Sequence, residues 1–293
     1  MKKLSKAIRN PQIVIEILLL KCNKIFPNKL YLQLYYRLKF KRNLNLNNPQ
    51  TFNEKLNWLK LHDHNPQYTI MADKYLVKDY VSSIIGNEYV VPCYGVWDNV
   101  DDIDFVTLPE EFVLKTNHDS SGAVICKNKT IDDTTKNKYR KLLKTNYFYG
   151  KREWVYKNIK PKIFAEKCLV GNDGEIIKDY KFLCFNGEPK LMYCTNKSKD
   201  IFENYYDMDF NPVYINHGFR RQVPEFDKPE KFELMKELAR NLSKNIPFVR
   251  VDFFYINNNV YFAEFTFYDW AGLRPFTDIT YDMLLGSWIK LQN

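Results

Sequence analysis

Over residues 1 to about 90 apolar positions recur at helical spacing, with breaks at Pro27-Asn28 and between Asn43 and Pro49. The spacing predicts one helix opening at Asn53-Glu54-Lys55 with Leu56, Leu59 and Lys60, and another running over 68–81 after Asn65-Pro66. From Tyr89 the pattern changes to short runs punctuated by Pro, Gly and Asp, which predicts strands at 89–91, 112–116 and 123–127. A lysine-rich helical pattern covers 133–147, and strands are expected again at 162–169, 176–185, 189–195 and 204–209. Residues 230–245 read as a helix ended before Pro247. Two apolar runs follow, 248–256 and 260–268, separated by Asn257, Asn258 and Asn259. Asparagine tolerates positive φ, so the trio predicts a hairpin turn. There is no internal repeat and no low-complexity linker. The expectation is α+β: a helical lead-in, then a body of two lobes dividing near Ala165.

Composition narrows the class. At 45% hydrophobic and 16% aromatic residues, a chain of 293 can bury a core. Its net charge of +9 points to an anionic partner such as a nucleotide, an acidic glycan, nucleic acid or an inner membrane leaflet, and equally to a lysine-rich proteome that keeps its proteins soluble. Nucleic acid fits least, because bases and acids are interleaved and no recognition motif appears. Six cysteines without a C-x-x-C pair read as reduced, buried thiols of a cytoplasmic protein. His62-x-His64 lacks further ligands, so zinc is set aside. The apolar run from Ile13 to Leu20 is interrupted by Glu16, is too short to span a bilayer and has no small-residue cleavage site. Flanked by Lys2, Lys3, Lys6, Arg9, Lys21 and Lys24, it reads either as a helix packed on the protein or as one lying at the inner membrane face.

The hairpin carries the most chemistry. Alternate residues of a strand share a face, so Arg250 and Asp252 point one way, as do Glu264 and Thr266. If the strands pair, two carboxylates, a hydroxyl and a guanidinium converge, which suits Mg²⁺ with a polyphosphate. A solvated salt bridge on a wet sheet face accounts equally well for the spacing. Three other pieces stand upstream. Lys115 ends an apolar run before the small-polar loop Thr116-Asn-His-Asp-Ser-Ser-Gly122, a unit able to meet phosphate though not a Walker A sequence. Glu166 sits where the run 163–169 turns from a strand into a linker. Asp179 and Lys181 share one strand face while Tyr180 and Phe182 take the other.

In that order the pieces resemble the ATP-grasp superfamily. The phrases Thr51-Phe-Asn-Glu-Lys-Leu, Ala72-Asp-Lys-Tyr, Gly95-Val-Trp97, Phe112-Val-Leu-Lys-Thr-Asn-His-Asp-Ser-Ser-Gly122, Asp179-Tyr-Lys-Phe and Phe248-Val-Arg-Val-Asp are similar to its TupA-like branch, named after teichuronopeptide synthesis, from about Asn48 to Lys290. The resemblance implies an ATP-grasp fold in which two α+β lobes clasp ATP, with 1–90 a helical N-terminal region, 91–165 the N-lobe and 166–293 the C-lobe bearing the metal. It implies Lys74 and Lys115 on the α- and β-phosphates, and a closing loop from His118 through Ser120 and Ser121 to Gly122. Glu166, with the backbone of Lys167 and Leu169, would read adenine. Lys181, on the strand shared with Asp179, would face the γ-phosphate, Arg250 the acyl-phosphate, and Asp252 and Glu264 would bind Mg²⁺. Thr266 stands where the superfamily usually has Asn as a third ligand. Asp269 and Trp270 are expected to touch substrate.

The implied activity is an ATP-dependent carboxylate–amine ligase working through an acyl-phosphate. Its expected substrates are an amino acid or amine and a uronic-acid-containing bacterial surface polysaccharide or its precursor. The runner-up is a glycosyltransferase using Asp207-Met-Asp209 as a D-x-D motif. A third reading is a non-catalytic glycan-binding relative, against which the intact Lys115, Arg250, Asp252 and Glu264 stand.

Overall fold

A computed structural model describes residues 11–119, 122–171, 177–196 and 202–291. Ser120 and Ser121 of the expected phosphate loop lie outside the described residues. Among the described residues five helices lead in: α1 (Pro11–Lys21), α2 (Asn28–Phe40), α3 (Phe52–His62), α4 (Gln67–Ala72) and α5 (Val77–Ile85). Helix α3 starts on a full capping box, in which Thr51 accepts from the Glu54 amide and Glu54 accepts from the Thr51 amide. The helix expected over 68–81 is two helices. Asp73 ends α4 by accepting the amides of Tyr75 and Leu76, which turns the chain and leaves Lys74 projecting from the corner.

Two antiparallel sheets follow. The first, in the order β1-β4-β2-β3, comprises β1 (Cys93–Trp97), β2 (Glu111–Thr116), β3 (Val124–Lys127) and β4 (Ile163–Lys167). The second, in the order β10-β9-β5-β6-β7-β8, comprises β5 (Lys178–Phe185), β6 (Glu188–Asn196), β7 (Glu203–Tyr206), β8 (Pro212–Val213), β9 (Phe248–Ile256) and β10 (Asn259–Thr266). Helices α6 (Asp133–Leu142) and α7 (Phe148–Lys151) lie between β3 and β4, while α8 (Phe232–Ser243) and α9 (Ile279–Trp288) belong with the second sheet. The strand expected over 89–91 is instead a 3₁₀ turn with a single bridge at Val90, and the pairing strand begins at Cys93. Three cysteines are buried, but Cys93 is exposed and Cys22 and Cys168 are half-buried, so burial is not general; all six are free.

The large core lies on one face of the six-stranded sheet, where Tyr180, Phe182, Met192, Cys194, Val251 and Phe253 meet the apolar side of α8. Phe52, Leu56 and Leu59 of α3 and Val77 and Val81 of α5 belong to this same core, so the helical lead-in is built into the second sheet's body. A smaller core of Phe112, Leu114, Ile163 and Tyr139 supports the first sheet. Strand β4 continues to Lys167, and the chain enters the second sheet at Lys178. The opposite, polar face of the second sheet looks across a cleft at the first.

Candidate active site

The β9–β10 hairpin sets up the site through an irregularity. Its turn is Asn257-Asn258, both at positive φ (50° and 57°), and Asn259 is already the first residue of β10. A two-residue turn pairs Ile256 with Asn259 and Phe253 with Phe262, and an uninterrupted ladder would put Glu264 opposite Val251 on the core face. A bulge at Ala263 shifts the register by one, so that Glu264 faces Asp252 and Thr266 faces Arg250. Lys181 of β5 is Asp252's partner on its other side, followed by Tyr193 on β6 and Tyr205 on β7. One row across the sheet therefore reads Glu264, Asp252, Lys181, Tyr193.

Arg250 organises this face. It forks onto Asp252 with Nε–Oδ1 and Nη2–Oδ2 distances of 2.7 Å, reaches Glu264 at 3.2 Å, and donates through Nη1 to Tyr193 Oη at 2.8 Å and Asp269 at 2.5 Å. Lys181 donates to Asp252 at 2.6 Å and lies 3.6 Å from Asp179. Burial alone would lower Lys181, yet Asp252 and Asp179 outweigh it and hold the ammonium charged. Glu264 behaves conversely. Burial works to raise it, but Lys74, Arg250, Lys181 and Lys115 bring its carboxyl to about 2.

Facing this row are side chains fixed by two clasped phrases. Asn117 donates to Asp73 at 2.7 Å and to the Lys160 carbonyl at 3.0 Å, and its carbonyl oxygen accepts the Lys162 amide at 2.8 Å. The Lys74 amide donates to the Asn117 carbonyl at 2.9 Å. The Ala72-Asp-Lys-Tyr and Lys-Thr-Asn-His phrases thus hold each other, which sets Lys74 beside Lys115. Lys74 lies 3.7 Å from Glu264 and also donates to the Asp119 carbonyl. Asp119 closes its loop by accepting the Gly122 amide at 3.0 Å; a Cβ at Gly122 would lie 2.6 Å from both Asp119 Oδ2 and Thr116 Oγ1, so only glycine fits. His118 is buried, its ring between Asn117 Oδ1 and the Leu142 carbonyl, which anchors the base of the loop; burial lowers its pKa. On β4, Glu166 pairs with Lys115 and, at 3.0 Å, with Lys78. Burial raises this carboxyl, but the two lysines prevail and keep it ionised. The Lys167 amide donates to the Pro92 carbonyl. Leu169 is half-buried just beyond the end of β4.

Three spaces run along the cleft. A narrow apolar slot of about 20 Å³ lies between Val77, Val91, Phe164, Phe254 and Phe262, with Lys78, Lys115 and Glu166 at its polar edge. It shares Lys74, Lys115 and Ala263 with a polar cavity of about 210 Å³ containing Asp179, Lys181, Asp252, Glu264 and Gly122. That cavity shares Lys74, Asp119, Lys181 and Glu264 with a larger one of about 560 Å³. Arg250, Tyr193, Thr195, Glu203, Thr266 and Trp270 are among the residues around the largest space.

The rim of the large cavity is strained backbone. Trp270, Ala271 and Gly272 have φ of 47°, 56° and 56°. Helix α3 pins them, with Asn57 donating to the Gly272 carbonyl and Lys60 to the Ala271 carbonyl, both at 2.6 Å. Burial lowers Lys60 to about 7. The Thr51-Phe-Asn-Glu phrase is thus a platform beneath the cavity: its Asn53 binds Asp282 of α9, and Gly286 of α9 lets the helices close, since a Cβ there would lie 2.2 Å from the Gln50 carbonyl oxygen.

Several residues here carry weight that spacing did not reveal. Lys78 shares Glu166, Tyr193 binds Arg250, and Glu203 joins Asp119, Glu153 and Glu264 around the large cavity. Glu203 is 5% exposed, its Oε1 has no hydrogen-bond partner among the described residues, and burial followed by the charge of Asp269 pushes its pKa up to about 8. The bulge did leave a trace: Val260, Phe262, Phe265 and Phe267 are buried at spacings of two, three and two. Asp207 of the D-x-D pair is occupied in its own turn, accepting from the Asp209 amide and from the amide and side chain of Asn211.

The donor set suits a hard cation bound together with phosphate. Asp252 and Glu264 face each other, and the buried oxygens Asp179 Oδ1 and Thr116 Oγ1, bordering the same polar cavity, have no hydrogen-bond partner among the described residues. Among the described residues no three His, Cys, Asp or Glu side chains gather to enclose a metal unaided. Phosphate oxygens would have to complete the shell. Thr266 faces the large cavity beside Glu264.

Comparison with known proteins gives a consistent family. The family model described as TupA-like ATP-grasp matches residues 54–290. No curated protein matches significantly. Among solved structures, the D-alanine–D-alanine ligase from Helicobacter pylori is similar at 16% identity and a TM-score of 0.43, over 82% of this chain and 69% of that one. The Bacillus anthracis D-alanine–D-alanine ligase complexed with ATP is similar at 16% identity and a TM-score of 0.38, over 67% and 53%. The D-cycloserine synthetase DcsG gives 13% identity and a TM-score of 0.40, over 80% and 76%. The chain spans between about half and two thirds of the first ligases it matches.

Proposed function

Because the chain belongs to the TupA-like ATP-grasp family, we propose that its cleft binds ATP and that it joins a carboxylate to an amine. The observation that carries this reading is the facing pair Asp252 and Glu264, set between Lys74, Lys181 and Arg250. Adenine would enter at the apolar slot, which would have to widen well beyond its 20 Å³ to admit the ring, with Glu166 and the backbone around Lys167 and Leu169 at the base edge. The 210 Å³ cavity would take the triphosphate, held by Lys74 and Lys115 under the 118–122 loop, and the 560 Å³ cavity the two substrates. We place the boundary between lobes after β4, between Lys167 and Lys178.

Mg²⁺ would be held by Asp252 and Glu264, with Thr266 adjacent, and would draw charge from the phosphates. A substrate carboxylate oxygen attacks the γ-phosphorus, and ADP departs as the acyl-phosphate forms. Lys181 and Arg250 stabilise the charge on the transferring group. The amine then attacks the acyl carbon, phosphate leaves and the amide results; Glu203 offers an unpaired carboxyl oxygen to the proton the amine gives up. Closure of the two lobes would keep water from the acyl-phosphate.

For the substrates, the cavity's chemistry supports a sugar-bearing acid such as a hexuronic acid of a surface polysaccharide, joined to an amino acid or other amine. The Trp270 indole offers an exposed aromatic face backed by Phe219 and the Arg274 guanidinium, and Tyr193 and Thr195 supply hydroxyls. A lipid-linked precursor would bring the reaction to a bilayer. The test is ADP and phosphate release across uronic acids crossed with amino acids, alongside Glu264→Ala. Release that needs both a carboxylate and an amine, and is lost in the variant, supports the ligase. A nucleotide sugar bound in place of ATP would reverse the assignment.

A further inference from the structure

We propose that the face formed by α1 and the first half of α2 docks on an anionic lipid bilayer. Charge along the chain is divided unevenly. Residues 1–42 hold eleven of the 44 lysines and arginines but one of the 35 acids, a net of +10, which leaves −1 for everything after them. The overall excess of +9 is therefore a property of this segment and not of the cleft.

The same segment exposes its apolar side chains. In α1, Ile13, Val14, Ile15, Ile17, Leu18 and Leu20 are 38–55% exposed, and Leu19 is buried against α2. Beyond the helix, Ile25 is 78% exposed, with Leu30 and Leu34 continuing the patch. Lys21, Lys24 and Lys29 stand exposed beside it. The one acid, Glu16, is turned onto Lys39 at 2.7 Å and onto Tyr35, so among the described residues of α1 and α2 no unpaired negative charge stands on this face. An 11-residue helix is about 16 Å long, roughly half the hydrocarbon thickness, so it can lie in an interface and cannot cross it. Apolar side chains entering the acyl boundary, with lysines at the level of the headgroup phosphates, are what such a surface fits. A second copy of the chain fits poorly, because it would set two strongly basic faces together.

The patch is fastened to the body. Arg152 stacks on Tyr31 at 4.1 Å and donates to the carbonyls of Asn23 and Phe26, and Tyr31 donates to the Gly150 carbonyl at 2.8 Å. Next to Arg152 in the chain, Glu153 lines the 560 Å³ cavity, and Ala271 of the cavity rim packs on the α2 cluster. Docking would hold that cavity close to the bilayer, whatever reaction it serves.

The test is flotation of the full chain with vesicles of phosphatidylcholine, alone or mixed with phosphatidylglycerol, at low and high salt. The expected result is binding to the mixed vesicles that weakens with salt. A Lys21→Glu/Lys24→Glu/Lys29→Glu variant should bind at least roughly a hundredfold more weakly, and Ile25→Ser, a turn position that supports no core, should also weaken binding. Both variants should keep the wild-type melting temperature. No binding to mixed vesicles, binding indifferent to phosphatidylglycerol, or a dimer that Ile25→Ser disperses would each overturn the proposal. Because the readout needs no ATP, failure here and failure of the ligase reading are separate results.

Discussion

Glu264 and Glu203 border one cavity from one face of one sheet, yet their carboxyls move in opposite directions. Burial pushes both up. At the β9–β10 end four cations bear on Glu264 and bring it to about 2. At the β7 end the charge with the largest effect is the negative one of Asp269, and Glu203 rises to about 8. The cleft therefore pairs a permanent anion, suited to a cation and phosphate, with an acid that exchanges its proton near neutrality. Cation placement creates the difference, and Arg250, reaching Asp252, Glu264 and Asp269, sits at its centre.

The harshest way to break this comparison is Arg250→Met. It would leave buried Asp252 and Asp269 without their guanidinium, and unfolding in urea should show a loss of about 3–5 kcal/mol. Next in size is Lys181→Met, which removes one cation while Arg250 still holds Asp252. Turnover should fall at least about a hundredfold with the fold intact by circular dichroism.

A finer test follows the two acids by pH. Glu203's folded pKa lies above its ordinary 4.5, so the native state holds a proton that the unfolded state releases, and its contribution to stability falls as pH rises from 4.5 to about 8. Melting curves of Glu203→Gln should therefore match wild type near pH 4.5 and exceed it at pH 8. For Glu264 the sign reverses: its contribution is complete above 4.5 and is lost as pH falls toward about 2, so Glu264→Gln should narrow the gap to wild type on acidification. The smallest effect belongs to Asp209→Ala. That residue receives no side-chain partner in the β7–β8 turn, so stability should stay within about 0.5 kcal/mol and ATP turnover should be unchanged. A large loss of activity would revive the D-x-D reading.

Much of this architecture was legible from residue order. Alternation placed Asp179 and Lys181 opposite Tyr180 and Phe182, and the asparagine turn announced the hairpin. Local pattern failed where distant partners decide. The 68–81 stretch keeps a helical period, but Asp73 is drawn into a corner by Asn117, forty-four residues away. Glu203 reads as an ordinary strand residue until folding buries it beside Asp269. The hairpin was half legible: simple alternation gives Glu264 and Thr266 a common face, and only the three-residue step from Phe262 to Phe265 tells that a bulge brings that face to Asp252. The basic excess was visible as a total, and its concentration in the first 42 residues gained meaning once α1 was seen with its apolar side chains exposed.

The central claim is that Asp252 and Glu264 receive ATP through a divalent cation. Calorimetric titration with a non-hydrolysable ATP analogue, with and without Mg²⁺, tests it most directly in the wild type and in Asp252→Asn/Glu264→Gln. Mg²⁺ should strengthen binding at least about tenfold in the wild type, and its effect should be abolished in the double variant. Equal Mg²⁺ dependence in both proteins, or no binding of the analogue at all, would contradict that claim.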